Sequence, residues 1–102
     1  MAKLKLTAEP TFTAPVEIPV AGKDPVKVSF TFRHRTKDEL ADWLKQKFET
    51  DELAILECAT GWELDDEFNA ENVALLCQSY IAATGSIISA YITELRGARA
   101  KN

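Results

Sequence analysis

The sequence has few cysteines and histidines and no long apolar run, and each of these absences excludes a common class of protein. Its 102 residues include two cysteines and one histidine, too few for a disulfide framework or a zinc site. The longest apolar stretch, residues 80–92, is interrupted by glycine, serine and threonine and is too short to span a membrane. The first residues contain no apolar run typical of a signal peptide. We therefore expect a cytosolic protein in which Cys58 and Cys77 are reduced thiols that pack against apolar neighbours.

The sequence also lacks an excess of basic residues. Its net charge is −4, and residues 37–72 hold twelve acidic residues against three basic ones, a local charge of −9 between flanks of +3 and +2. A nucleic-acid-binding protein needs a basic surface to neutralise phosphates, so this class is disfavoured. The positive flanks could instead meet an acidic surface on a partner or on a second copy, in a head-to-tail contact.

Motifs that carry chemistry are missing as well. His34 has no nucleophile motif near it and is expected to be an ordinary residue at a strand end. The acidic run at residues 65–67 lacks the ligand spacing of a calcium loop, so we expect a solvated loop. Gly22 and Gly85 stand alone and form no phosphate-binding loop. We predict no enzyme, no metal site and no cofactor.

The first third of the chain has the period-two pattern of β-strands. Apolar residues alternate over residues 12–20 and again over 26–32, and a turn-forming cluster lies between them. The pattern predicts a hairpin in which Val20 faces Val26. Pro15 and Pro19 then point outward from a strand at the sheet edge, because proline lacks a ladder donor. A further short strand is predicted at residues 4–6.

The remainder predicts helices. Thr36 and Glu39 form a capping box for a helix over residues 37 to about 48, and a short helix over 52 to about 59 is expected to end at a left-handed Gly61. Asn69 caps a third helix, residues 84–86 interrupt the pattern, and Gly97 ends the last helix. The predicted fold is α+β, an N-terminal β-hairpin packed on a small bundle of about four helices. We expect one domain over residues 1–102, with a hairpin region (1–35), a helical region (36–99) and a tail (100–102).

Two features are candidates for contacts with a partner. Trp62, next to a helix end, either fills the core or anchors a partner, and the core is favoured. The proline-marked strand is the other candidate, because an exposed edge can accept an added strand. The residues themselves therefore indicate a small interaction or assembly domain.

The second half of the chain resembles a known family. The sequence Gly-Trp-Glu-Leu at 61–64 is followed by Asp-Asp-Glu-Phe-Asn-Ala-Glu-Asn at 65–72, Leu-Leu at 75–76, Tyr80, Ala-Tyr at 90–91 and Gly-Ala-Arg-Ala-Lys-Asn at 97–102. This order resembles the tail assembly chaperones of siphovirus-type bacteriophages and prophages, most strongly over residues 57–102. It departs from the family's Tyr-Pro-Gly-Ala-like break, since residues 80–85 contain no proline. The candidate partner-binding or family-motif residues are Gly61, Trp62, Tyr80, Tyr91, Arg96 and Arg99.

The resemblance implies a non-enzymatic protein of the host bacterial cytoplasm. Such a chaperone binds the tape measure protein, keeps it soluble, promotes assembly of the tail tube and is absent from the mature virion. Self-association is expected, because many copies would be needed along one long client. The pair Lys101-Asn102 can be encoded by a run of A, which suggests ribosomal frameshifting to a longer product that contacts the tail tube protein. Codons that break this run would contradict that expectation.

Two other functions remain open from the sequence. The −9 segment could make the protein an acidic phage-encoded inhibitor, a DNA mimic that binds a basic surface on a host protein. Its carboxylates would then lie in spaced rows on one face, and its binding would depend strongly on salt. A weaker alternative is a small connector subunit of the virion, which would be found in purified particles.

Overall fold

The computed structural model describes residues 2–97, which form a three-stranded antiparallel sheet and four helices. The hairpin precedes the helices, as predicted, so the α+β fold class is confirmed. A third short strand, which was not predicted, lies between the second and third helices. The elements in chain order are β1 (Thr11–Val20), β2 (Lys23–Arg33), α1 (Lys37–Lys45), α2 (Asp51–Cys58), β3 (Ala59–Trp62), α3 (Ala70–Ser79) and α4 (Ala83–Arg96).

The hairpin has the predicted faces but a different register. Val20 pairs with Lys23, and Val26 pairs with Ile18, so the predicted pairing of Val20 with Val26 is wrong. Gly22 has a φ of 75°, which allows a tighter turn than the five-residue loop expected from the sequence. From Phe12 to Ile18 the displacement is by two residues, so these side chains stay on their predicted face. An irregularity between Ile18 and Val20 shifts the last pair by one residue more.

The outer strand is β1, as its prolines predict. The strand order is β1-β2-β3, and Pro15 and Pro19 are exposed in β1, on the face opposite the buried Val16. The strand predicted at residues 4–6 is absent, since residues 2–10 contain no helix or strand. This leading segment, as we call residues 2–10, is connected to the sheet where the His34 amide donates to the Pro10 carbonyl at 2.9 Å.

The short strand β3 corrects the prediction for Gly61. This glycine pairs with Thr31 and does not have the positive φ that was expected of it. The helix before it ends at Cys58 because the chain turns directly into pairing with β2, where Trp62 lies opposite Phe30. Four residues are too few to show a period-two pattern, so no alternation of apolar residues indicates this strand.

Side-chain caps begin three of the helices where the sequence placed them. Thr36 accepts from the Glu39 amide while the Glu39 carboxylate accepts from the Thr36 amide, which confirms the capping box and lowers the pKa of Glu39. The Thr50 and Asn69 side chains cap α2 and α3 with one bond each, accepting from the Leu53 and Asn72 amides. The first helix nevertheless ends at Lys45, three residues before the predicted end.

The break before the last helix lies earlier than predicted. The chain leaves helical geometry at Tyr80 and re-enters it at Ala83, so residues 84–86 are part of α4. Gly97, with a φ of 70°, ends α4 as expected, and Arg96 lies in its last turn. Arg99 and the Lys101-Asn102 pair lie outside the described residues.

The core lies between the inner face of the sheet and the helices. Tyr91 and Ile87 of α4 are fully buried there, as are Phe30 and Phe32 of β2 and Ile55 of α2. Rings from the sheet and from α4 stack on one another: the Phe12 and Tyr91 rings are nearly parallel, with their centroids 6.1 Å apart. Aromatic side chains therefore supply much of the buried surface that joins the two layers.

Candidate functional site

The structure separates the residues that the sequence singled out. Trp62 and Tyr80 line one groove, whereas Tyr91 is fully buried. Arg96 is exposed at the other end of α4, and Gly61 is a half-buried residue of β3. Only Trp62 and Tyr80 therefore contribute to a common surface among the predicted residues that the structure describes.

Tyr91 connects the helices to the end of the sheet. Its hydroxyl donates to the Arg33 carbonyl at 2.8 Å and accepts from Nη1 of Arg35 at 2.9 Å. Its ring makes an edge contact with Trp43 at 5.4 Å between centroids. Burial raises the pKa of this phenol. These contacts give Tyr91 a place in the core, and its side chain offers no surface to a partner.

Arg35 is a residue whose role the sequence did not reveal. Its guanidinium donates to the Glu57 carbonyl at 3.1 Å and lies 3.5 Å from the Glu57 carboxylate. The same group lies 5.0 Å from the centre of the Trp43 ring, in cation–π geometry. It therefore joins the segment after β2 to α1, α2 and α4. A single arginine in a charged stretch carries no sequence signal of such a position.

Trp62 combines the two roles that the sequence left open. Its ring meets Phe30 edge-on on one side and Phe68 on the other, with centroids 5.9 and 5.0 Å apart. Its Nε1 donates to the Asp66 carbonyl at 2.7 Å. The ring is only partly buried, because one side of it forms part of the groove wall.

The groove, which we call the hairpin–α3 groove, has a volume of about 350 Å³. It lies between the turn end of the hairpin and the C-terminal half of α3, and its lining is mostly apolar. The lining residues are Ile18, Val20, Val26, Val28, Trp62, Leu64, Asp66, Asn72, Leu75, Leu76, Ser79 and Tyr80.

Large apolar side chains are exposed around this groove. Leu75 is 62% exposed and Val26 is 52% exposed, and both line it. Ile81, directly after the groove residue Tyr80, is 91% exposed. The sequence carried a signal for Leu75 alone, which lies off the apolar stripe of Val73, Leu76 and Cys77. The exposure of Ile81 was missed, because the break between the helices was predicted at residues 84–86. An exposed apolar cluster of this kind is typical of a docking surface.

An acidic loop forms one rim of the groove. We define it as residues 63–67, which contain four carboxylates. The loop is held in place on both sides: Ser29 and Glu63 exchange two hydrogen bonds of 2.7 and 3.0 Å, and Asn72 donates to the Glu67 carbonyl at 2.7 Å. The predicted solvated loop therefore has a defined position, with negative charge beside an apolar surface.

The side chain of Cys58 is part of the hydrophobic core, and the side chain of Cys77 packs against it. Burial raises the pKa of Cys58 to about 12 and also raises the pKa of Cys77. Both thiols are free. Within residues 2–97 no cluster of three or more His, Cys, Asp or Glu side chains has an arrangement that could hold a metal ion.

The helices were also compared with the requirements of a membrane span. Among the described residues, no single helix is long and apolar enough to cross a bilayer. Taken together, α3 and α4 meet the length and composition requirement, but they are bent by 112° at the break between them.

An exposed apolar groove with an acidic rim, on a small α+β fold, is typical of proteins that bind other proteins. A family model described as phage tail assembly chaperone matches residues 1–102, the whole chain. The chain therefore belongs to the phage tail assembly chaperone family, which supports the first of the three functions inferred from the sequence. No curated protein and no solved structure gives a significant match.

Proposed function

We propose that this protein binds the tape measure protein of a phage tail and keeps it soluble until the tail tube assembles around it. It acts by binding, without catalysis, in the cytoplasm of the host bacterium, and it is left out of the mature virion. The observation that supports this proposal is the hairpin–α3 groove, an apolar surface surrounded by exposed apolar side chains.

The groove has the shape and chemistry needed for a client of this kind. A long helical protein without its partners presents apolar stripes, and such stripes dock into apolar grooves through residues spaced by one helical turn. Trp62 and Tyr80 offer aromatic anchors, which contribute strongly to binding when a partner covers them. Leu75 and Ile81 would lose their contact with water on binding, and this burial would provide the driving force.

Co-expression with the tape measure gene tests the proposal. We expect the protein to raise the soluble fraction of the tape measure protein several-fold, and we expect the double variant L75S/I81S to lose most of that effect. Both positions are exposed, so the variant should unfold at nearly the same urea concentration as the wild type. Leu44, which is exposed on α1 and does not line the groove, provides the matched control L44S. An equal effect of L44S, or no solubilisation by the wild type, would contradict the proposal.

Further partners follow from the same role. Several copies would act on one client and associate with one another. A longer product made by frameshifting at the codons of Lys101-Asn102 would bring the tail tube protein to the complex. Sequencing this part of the gene tests the second point: we expect an uninterrupted run of A with an open reading frame that continues past it.

A further inference from the structure

The leading segment carries two of the most exposed large apolar side chains of the described chain. Leu4 is 87% exposed and Leu6 is 100% exposed. They alternate with Lys3 and Lys5, so an extended conformation would place both leucines on one side and both lysines on the other. The segment thus has the pattern of a strand that lies on an apolar surface, and yet both leucines are left exposed.

The turn end of the groove is out of reach of the leading segment of the same chain. The contact between Pro10 and His34 fixes the segment at the open end of the hairpin, whereas the groove lies at the turn end, beside Ile18. Along an extended chain, Leu6 reaches at most about 14 Å from Pro10 and Leu4 about 21 Å. Ile18 lies about 26 Å from Pro10 along β1. The leading segment of the same chain therefore cannot reach the turn end of the groove, whereas the segment of another molecule can.

The charges of the two surfaces are complementary. The segment carries Lys3 and Lys5, of which Lys5 lies 2.8 Å from the Glu9 carboxylate of the same segment, so the segment has a net charge of +1. The groove has the acidic loop at its rim. We infer that the leading segment of one copy lies in the hairpin–α3 groove of a second copy, with its leucines on the apolar lining and its lysines beside the acidic loop. This contact deepens the self-association proposed above and rests on it.

The geometry makes the association head-to-tail. The segment leaves one end of the sheet and the groove opens near the other, so each copy can give a segment to one neighbour and receive one from another. A contact of this heterologous type generates an open chain of copies. Because the groove is also the proposed site for the tape measure protein, copies without a client cover one another's apolar surface, and the client displaces the segment.

Charge reversal on the purified protein tests the contact without any client. K3E/K5E reverses the segment, and D65K/D66K reverses the acidic loop. We expect each variant alone to associate at least about tenfold more weakly than the wild type in sedimentation experiments at low salt. An equimolar mixture should recover association, because each variant's segment then opposes the other variant's loop with opposite charge.

The control is K45E/K47E, which makes the same change of charge at exposed positions in α1 and just after it. We expect it to associate like the wild type. L4S/L6S removes the apolar part of the contact at positions that are exposed in the monomer, and it should also weaken association at least about tenfold without altering unfolding.

The outcomes separate this inference from the proposed function. If the wild type associates but the charge variants and L4S/L6S behave like it, or if the mixture does not recover association, the inference is wrong and self-association uses another surface. If the wild type is monomeric up to millimolar concentration, both self-association and the inference are wrong. Solubilisation of the tape measure protein is measured separately with the full-length variant L4S/L6S, and it is expected to persist in either case.

Discussion

Nη1 of Arg35 lies 2.9 Å from the hydroxyl oxygen of Tyr91, although the two residues are 56 positions apart in the chain. The same hydroxyl donates to the carbonyl of Arg33. One phenol thus ties the last helix to the end of the second strand and to the segment that follows it. This arrangement allows the most direct tests of the fold.

Replacing Tyr91 with phenylalanine should destabilise the protein without changing its fold. The ring and its aromatic contacts remain, but the Arg33 carbonyl loses its donor and Arg35 loses an acceptor. We expect the free energy of unfolding in urea to fall by about 1–3 kcal/mol. Tyr80, the other tyrosine of the sequence, is exposed and provides the control: Y80F should unfold like the wild type. A loss of the same size in Y80F would show that the Tyr91 hydroxyl has no special role.

Replacing Arg35 with lysine should also cost stability, although the charge is kept. An ammonium group cannot stack on Trp43 as a guanidinium does. Its single nitrogen also cannot replace both Nη1, which donates to Tyr91 and to the Glu57 carbonyl, and Nη2, which lies beside the Glu57 carboxylate. We expect a loss of about 1–2 kcal/mol in urea unfolding. The side chain of Arg33 is exposed, so R33K is the matched control and should change stability little. Equal unfolding of R35K and the wild type would contradict this role.

Two glycines should respond to alanine in opposite directions. Gly85 lies in α4 with open space where a Cβ would stand, so G85A should raise the free energy of unfolding by about 0.5–1 kcal/mol through helix propensity. Gly22 has a φ of 75° in the hairpin turn, and G22A should lower it by about 1 kcal/mol or more.

The variant G61A serves as a reference for this pair. A Cβ at Gly61 would lie 4.0 Å from that of Thr31, an ordinary contact, so thermal and urea unfolding should change little. A large loss of stability in G61A would favour the left-handed helix end predicted from the sequence over the strand.

Stability should fall at alkaline pH because of Cys58. Burial raises the pKa of this thiol from 9.0 to about 12, so above pH 9 the unfolded chain loses the proton while the folded chain keeps it. The free energy of unfolding is therefore constant with respect to this group below about pH 8. It falls by at most about 1.4 kcal/mol per pH unit between pH 9 and 12.

Urea unfolding at pH 7, 9 and 10.5 measures this slope. The variant C58A lacks the titrating group, so its slope should be smaller, even though the cavity lowers its stability at every pH. Cys77 and Tyr91, whose pKa values are also raised by burial, act in the same direction in both proteins. Equal slopes in wild type and C58A would exclude the contribution of Cys58.

Local features of the sequence predicted much of the fold. The capping box at Thr36 and the cap at Asn69 depend on residues three positions apart, and Gly97 acts through its own backbone conformation. The faces of the hairpin follow from period-two alternation, which Phe30 and Phe32 show clearly. Such features need no knowledge of the rest of the chain.

The errors of prediction arose where distant residues decide the outcome. Gly61 follows a helix and resembles a helix end, but pairing with Thr31 of a strand thirty residues earlier extends the chain instead. The predicted hairpin register was wrong by two residues because either register satisfies the alternation equally well. The tight turn at Gly22 decides between them. Trp62 could be assigned to the core or to the surface only after its neighbours were known.

The sequence by itself therefore determined the fold class, most helix caps, the edge position of β1 and, through the resemblance, the chaperone family. Each of these depends on residues close together in the chain or on a family's characteristic order of residues. The tertiary structure decided that Tyr91 is buried, that Arg35 joins three helices, and that Trp62 and Tyr80 line one apolar groove beside the acidic loop. These relationships arise from contacts between residues far apart in the chain, such as the hydrogen bond between Tyr91 and Arg33, 58 positions apart, which no local pattern encodes.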